Sequence, residues 1–183
     1  MSTRPEPSDR PALPATVERF VLEWGDIGSA WGVNRSVAQV HALLYTQARP
    51  MTAEDIARAL DLARSNVSTS LKELQSWQLI HKVPVRGDRR DHFAAETDLW
   101  QMAIHIAHGR RAREIDPARN SLSRCLKAAD DDLELAPETH ARLREMHDFV
   151  AELSGWYDEI LTIPPAKLKR LISMGRRIAK LVS

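Results

Sequence analysis

Nine side chains in two short runs carry the chemistry this sequence offers. Arg64, Ser65, Asn66, Ser68, Thr69 and Lys72 form the first run, and Arg86, Arg89 and Arg90 the second. None is a nucleophile with a partner base. They are hydrogen-bonding and cationic groups, the types that meet base edges and phosphates. An Asn amide can pair with adenine through both its N–H and its C=O, and short hydroxyls approach a groove without steric conflict. Lys72 lies farther along and suits a phosphate, Arg64 suits either target, and the arginine cluster suits phosphate clamping or a narrow minor groove.

Such groups need a scaffold that points them one way. Thr52 joins these nine as a candidate DNA contact and is also an N-cap with Asp55 at the capping-box position, so a helix starts there, with Ile56, Ala57 and Leu60 as its inner face. The Asp61-Leu62-Ala63 connector is brief. Val67, Leu71 and Leu74 recur at i, i+4, i+7 and define the buried side of a second helix. Its outer side is then Ser65, Asn66, Ser68, Thr69 and Lys72. Leu79–Val83 and His92–Ala94 are short extended segments around a turn at Gly87. The order predicts a helix-turn-helix followed by a β wing.

The surrounding chain supports that module. Residues 1–14 hold prolines at 5, 7, 11 and 14 and read as a flexible lead. Phe20, Val21, Trp24 and Ile27 fall on one helical face, with Gly25, Gly28 and Gly32 leaving the end of that helix open. Asn34 is placed to cap a helix whose stripe is Val37, Val40, Leu43, Leu44 and Tyr45. Beyond Asp98 the pattern predicts helices over about 98–113, 118–134, 137–161 and 165–182, punctuated by prolines, the first two joined as one long helix broken at Pro117. The expected organisation is a lead over 1–14, a winged domain over 15–97 and a helical dimerisation and effector region over 98–183. The fold class is mainly α with a small β wing.

Charge is distributed to match. The formal net charge is only +1, which argues against unselective coating of nucleic acid. Between Arg64 and Arg90 there are six Lys or Arg against two acids, between 93 and 161 fourteen acids against eight bases, and from Pro165 onward six bases and no acid. Local excess on the reading module matters more than the sum.

Residues 17–105 resemble the MarR superfamily, and within it the GbsR-type branch. The residues that carry the likeness are Trp31-Gly32 with Arg35, Met51–Ala57, Ser65-Asn66-Val67-Ser68, Leu71-Lys72-Glu73-Leu74 and Gly87-Asp88-Arg89-Arg90. The resemblance implies a homodimeric, usually repressing transcription factor on duplex DNA with a palindromic or near-palindromic operator. For the branch it implies control of choline or glycine-betaine genes, with choline as a candidate inducer.

Other readings follow from single features. Trp24, Trp31, Trp100, Trp156 and Tyr157 are rings that could cage a quaternary ammonium by cation–π attraction, and equally rings that fill core volume. In the last helix Leu168, Leu171, Ile172, Ile178 and Val182 form an apolar stripe suited to a dimer interface or to the chain's own core. His105 and His108 lie three apart, but no cysteine or carboxylate pattern completes a metal site, so neither metal nor cofactor is expected. Cys125, between Arg124 and Lys127, has no second cysteine to pair with, which fits a reducing cytoplasm. No apolar run reads as a membrane span, and no nucleophile–base–orienter arrangement suggests an enzyme. The competing class is a winged-helix interaction protein or adaptor without sequence-specific DNA binding.

Overall fold

The computed structural model describes residues 13–178. The chain divides into two compact units, Met1–Met102 and Ala103–Ser183. Residues 1–12 of the expected lead lie outside the described residues, as does Val182.

The first unit opens with α1 (Ala15–Ala30) and α2 (Arg35–Thr46), which pack against each other. The glycines explain how closely. A Cβ on Gly28 would stand 2.5 Å from the Ala38 Cβ, and one on Gly25 would stand 2.7 Å from the Gln39 Cγ. Both lie within α1 and serve its contact with α2, whereas the helix ends at Trp31 and Gly32, where φ is +77°. The Asn34 side chain accepts from the Ser36 N–H at 2.9 Å, the expected cap, and Val37, Val40, Leu43 and Leu44 are buried. His41 is buried beside them.

Next come α3 (Ala53–Leu60) and α4 (Arg64–Ser76), joined through Asp61 in the left-handed region. Ile56 and Ala59 from α3 and Val67, Leu71 and Leu74 from α4 are buried, and α4 packs on α2 and α3. Ser70 is buried with them. The wing is a three-stranded antiparallel sheet, β1 (Met51–Thr52), β2 (Ile80–Val85) and β3 (Asp88–Ala95), in the order β1-β3-β2. The two-residue strand β1 adds to the pair expected from the sequence by setting Met51 opposite Phe93 and Thr52 opposite His92. It ties the wing to the start of α3.

After the wing, α5 (Leu99–Arg110) runs through a π-helical turn at Arg111–Ile115 into α6 (Asp116–Asp130). Pro117 in the first turn of α6 lacks an N–H and its ring crowds the preceding turn, and the wider π turn lies just upstream. The break expected at Pro117 is therefore taken up as a π turn within an unbroken helical course. α7 (Pro137–Thr162) packs antiparallel-wise on α6 by its Leu143, Val150 and Ser154 side, and α8 (Pro165–Ile178) follows. No described helix is long and apolar enough to cross a membrane.

Candidate nucleic-acid interface

The reading surface begins with the capping of α3. The Thr52 hydroxyl accepts from the Asp55 N–H at 3.2 Å and donates to the Asp55 carboxylate at 2.6 Å, which also accepts from the Thr52 N–H at 3.3 Å. Arg58 donates to the other carboxylate oxygen at 2.5 Å. These bonds, chiefly the Thr52 hydroxyl, hold the Asp55 carboxyl below its ordinary range. Thr52 is buried, so it sets where α3 starts instead of facing outward.

With α3 fixed, α4 presents Arg64, Ser65, Asn66, Ser68, Thr69 and Lys72, all exposed. Asn66 Nδ2 donates to Ser36 Oγ at 3.3 Å, leaving its second N–H and its oxygen for a ligand. Thr69 donates its hydroxyl to the Ser65 carbonyl at 3.0 Å and keeps only acceptor capacity.

The wing turns at Arg86-Gly87, where Gly87 has φ +86° and Val85 pairs with Asp88. Positive φ suits glycine, so the hairpin tip is tight. Arg86, Arg89 and Arg90 are all exposed there. Asp88 accepts from the Arg90 backbone N–H at 3.0 Å and from its guanidinium at 2.5 to 3.0 Å, which fixes Arg90 and holds the Asp88 carboxyl far below its usual range. Lys82 pairs with Asp91 at 2.6 Å, and Arg64 pairs with Glu54. Among the described residues Lys72, Arg86 and Arg89 have no acidic partner.

An open cleft of about 420 Å³ lies between α4 and the wing, lined by Ser68 and Lys72 on one side and Lys82, Arg90 and Asp91 on the other. It brings Ser68 and Lys72 of the first run beside Arg90 of the second, while the other six side chains of the two runs lie outside its lining. The acids Glu54, Asp88 and Asp91, each paired with a base of this face, went unrecognised in the sequence. The only signal available was their proximity to basic runs; the pairings span nine and ten residues for Lys82–Asp91 and Arg64–Glu54.

The aromatic residues divide between the units. Trp24 packs its ring against Phe20 at 5.6 Å, Trp31 is two-thirds exposed at the end of α1, and Trp100 is half-buried early in α5. In the second unit Trp156 is exposed, and Tyr157 donates its hydroxyl to the Ala107 carbonyl at 3.0 Å. Of the apolar stripe on α8, Leu168 is half-buried and Leu171 exposed, and Ile172 and Ile178 lie within the helix. Cys125 is exposed, and no cluster of three or more metal-ligating side chains occurs among the described residues.

One constellation has the order of a nucleophilic triad. His147 stands with Nε2 3.2 Å from Ser123 Oγ and Nδ1 3.0 Å from Asp148 Oδ1. The Ser123 hydroxyl, however, donates to the Arg119 carbonyl at 3.0 Å, so its proton is not directed at the imidazole. Its position within α6 also leaves the neighbouring backbone N–H groups bonded in the helix, with none to stabilise an oxyanion. This is a surface hydrogen-bond chain.

The geometry is that of a winged helix-turn-helix domain. Residues 31–91 match the model of the MarR family, and that segment spans α2 to β3. Two relatives from Bacillus subtilis (strain 168) are similar over most of their length. The HTH-type transcriptional regulator YvaV is 25% identical, covering 77% of this chain and 79% of its own. The HTH-type transcriptional repressor GbsR is 24% identical, covering 70% and 72%. A crystal structure of a transcriptional regulator shares the fold with a TM-score of 0.62 at 22% identity, covering 80% of this chain and 95% of its own. Over residues 31–91 the chain is similar to the MarR family, and the relatives it matches along most of their length are HTH-type transcriptional regulators.

Proposed function

We propose that the protein is a homodimeric, sequence-specific DNA-binding repressor of the GbsR type, with α4 in the major groove and the wing on the flanking backbone. The observation that carries this reading is the shared cleft, which sets Ser68 and Lys72 of α4 beside Lys82 and Arg90 of the wing. Asn66 reads a base edge, Ser65, Ser68 and Thr69 contact bases or phosphates, and Lys72, Arg86 and Arg89 meet phosphates. Arg64 and Arg90 join once phosphate displaces Glu54 and Asp88. One winged unit reads only a few base pairs, so two copies on a palindrome supply the specificity. Occupancy of the operator excludes polymerase.

The effector in this reading is choline or a related small quaternary ammonium, bound against Trp24, Trp31 or Trp100, whose faces replace part of the hydration of a cation that cannot donate hydrogen bonds. It regulates only by binding the DNA-competent and DNA-incompetent states unequally. Mobility-shift titrations with the upstream fragments of the protein's own and neighbouring genes test DNA binding, repeated with choline and glycine betaine for the effector. A folded dimer with no preference among fragments at physiological salt would sink the DNA reading. Absence of any ligand effect at millimolar choline removes the effector alone.

A second reading, a winged-helix adaptor for a protein partner, is favoured by one observation: Glu54, Asp88 and Asp91 interrupt the basic face. An adaptor complex survives high salt and contains no DNA, whereas an operator complex weakens steeply as salt rises.

A further inference from the structure

One buried titratable group of the wing has no part in the DNA contacts proposed above. His92 on β3 is only 7% exposed, and its ring lies between two oxygen acceptors of the same hairpin. Nδ1 stands 2.9 Å from the Arg90 carbonyl, which can only accept, so that nitrogen carries a proton. Nε2 stands 3.5 Å from Asp88 Oδ2, and there the neutral ring turns a lone pair toward a carboxylate. Only the imidazolium can donate to both.

The carboxylate that Nε2 faces also holds Arg90. Asp88 Oδ2 accepts from the Arg90 guanidinium at 2.5 and 3.0 Å, and Oδ1 accepts from its Nε and its backbone N–H at 3.0 Å. The cross-strand neighbours of His92, Thr52 on β1 and Val83 on β2, bring no charge. Other charges near the hairpin have partners of their own. Lys82 on β2 pairs with Asp91, and on α3 Glu54 pairs with Arg64 and Asp55 with Arg58; both α3 acids also act electrostatically on Arg90. α2 packs on β3 as well, and there Arg35 pairs with Asp26, the Tyr45 ring lies 6.3 Å from that of His41, and His41, lowered to about 4 by burial, stays neutral.

We propose that His92 is a positioning residue for Arg90 and makes the grip of the wing on duplex DNA depend on its proton. With the ring neutral, Asp88 and Arg90 form a closed pair of no net charge. With a second proton on the ring, Nε2–H competes for Oδ2, Arg90 is released toward phosphate, and the hairpin gains one positive charge. Both changes strengthen phosphate binding as pH falls through the ordinary histidine range of about 5 to 8. Linkage requires the converse, so bound DNA makes His92 hold its second proton more tightly than it does in the free protein. The inference rests on the DNA-binding part of the proposed function.

Operator affinity measured by anisotropy at fixed ionic strength, from about pH 8 to about pH 5.5, tests the coupling, with circular dichroism checking the fold at each step. Across that range the wild type should tighten about fivefold more than His92→Gln, whose side chain cannot take up charge. His81→Gln, which removes the exposed histidine of β2, should keep the wild-type profile. A second measurement needs no variant: the Cε1–H proton resonance of His92 should report its second proton binding at higher pH in the operator complex than in the free protein. If His92→Gln does not fold, that resonance decides. Parallel profiles for wild type and His92→Gln, a profile flattened by His81→Gln instead, or a His92 ring that titrates identically free and bound would each overturn this role and leave DNA binding standing. A folded wild type that binds no operator at any pH overturns the DNA-binding reading and this role with it.

Discussion

Asn66 on α4 donates its amide to Ser36 Oγ on α2 at 3.3 Å, so the side chain proposed to read a base is oriented by the neighbouring helix. Asn66→Ala should relax discrimination between cognate and altered operators by about 1–3 kcal/mol, the worth of a paired base contact. Ser36→Ala leaves the amide in place but releases its rotamer, so it should cost less at the same operator position. Anisotropy titrations on a panel of single-base operator variants measure both. A uniform loss on every duplex from Asn66→Ala would assign it to the phosphates instead.

On the proposed DNA-binding reading, Glu54 and Asp91 compete with phosphate for the bases they hold. Each holds a base of the reading face, Arg64 and Lys82 respectively, in exposed ion pairs worth little to folding. Glu54→Gln and Asp91→Asn should therefore tighten binding to all duplexes without altering sequence preference, and should leave the melting temperature nearly unchanged. Weaker binding would mean that the acids position the bases for DNA.

His41 gives the winged unit an acid limit. Its ring is 5% exposed, Nε2 has no hydrogen-bond partner among the described residues, and burial lowers its pKa from 6.5 to about 4. The unfolded chain thus binds this proton more readily than the folded one between those values. Stability from this source is complete above pH 6.5 and falls as pH drops toward 4, by about 3 kcal/mol in all. His41→Leu should flatten that part of the profile, measured as the difference in thermal melting between variant and wild type from pH 7.5 to 4.5. Parallel profiles would show that His41 stays hydrated or paired.

Gly28 marks the closest approach of α1 to α2, where an added Cβ would stand 2.5 Å from that of Ala38. Neither backbone can yield without moving a helix, so Gly28→Ala should destabilise the first unit by about 1–3 kcal/mol despite alanine's better helix propensity. Denaturant unfolding measures it. A gain in stability would mean that the helices separate at no cost.

The parts of this architecture that were legible in the sequence are local. Thr52 with Asp55 and Asn34 with the Ser36 N–H are caps written within three residues, and Val67, Leu71 and Leu74 show their buried face by spacing alone. The mainly helical fold with its small wing follows from such signals. What escaped depends on partners distant in the chain. Gly25 and Gly28 look like helix breakers until α2 lies across them. A two-residue strand such as Met51–Thr52 has no period to detect and exists only because Phe93 and His92 pair with it. His41 shares a helix with core residues, but its own burial depends on tertiary packing, and the ion pairs of Arg64 and Lys82 join different elements.

The assignment of α4 and the wing to duplex DNA is tested most directly by the salt dependence of operator affinity, compared between wild type and the Arg86→Ala/Arg89→Ala double variant. Loss of two phosphate contacts should weaken every duplex and lower the slope of log affinity against log salt by about 2, with the order of operator preference preserved. A slope unchanged by the two substitutions, or binding in the wild type that ignores salt, would contradict it.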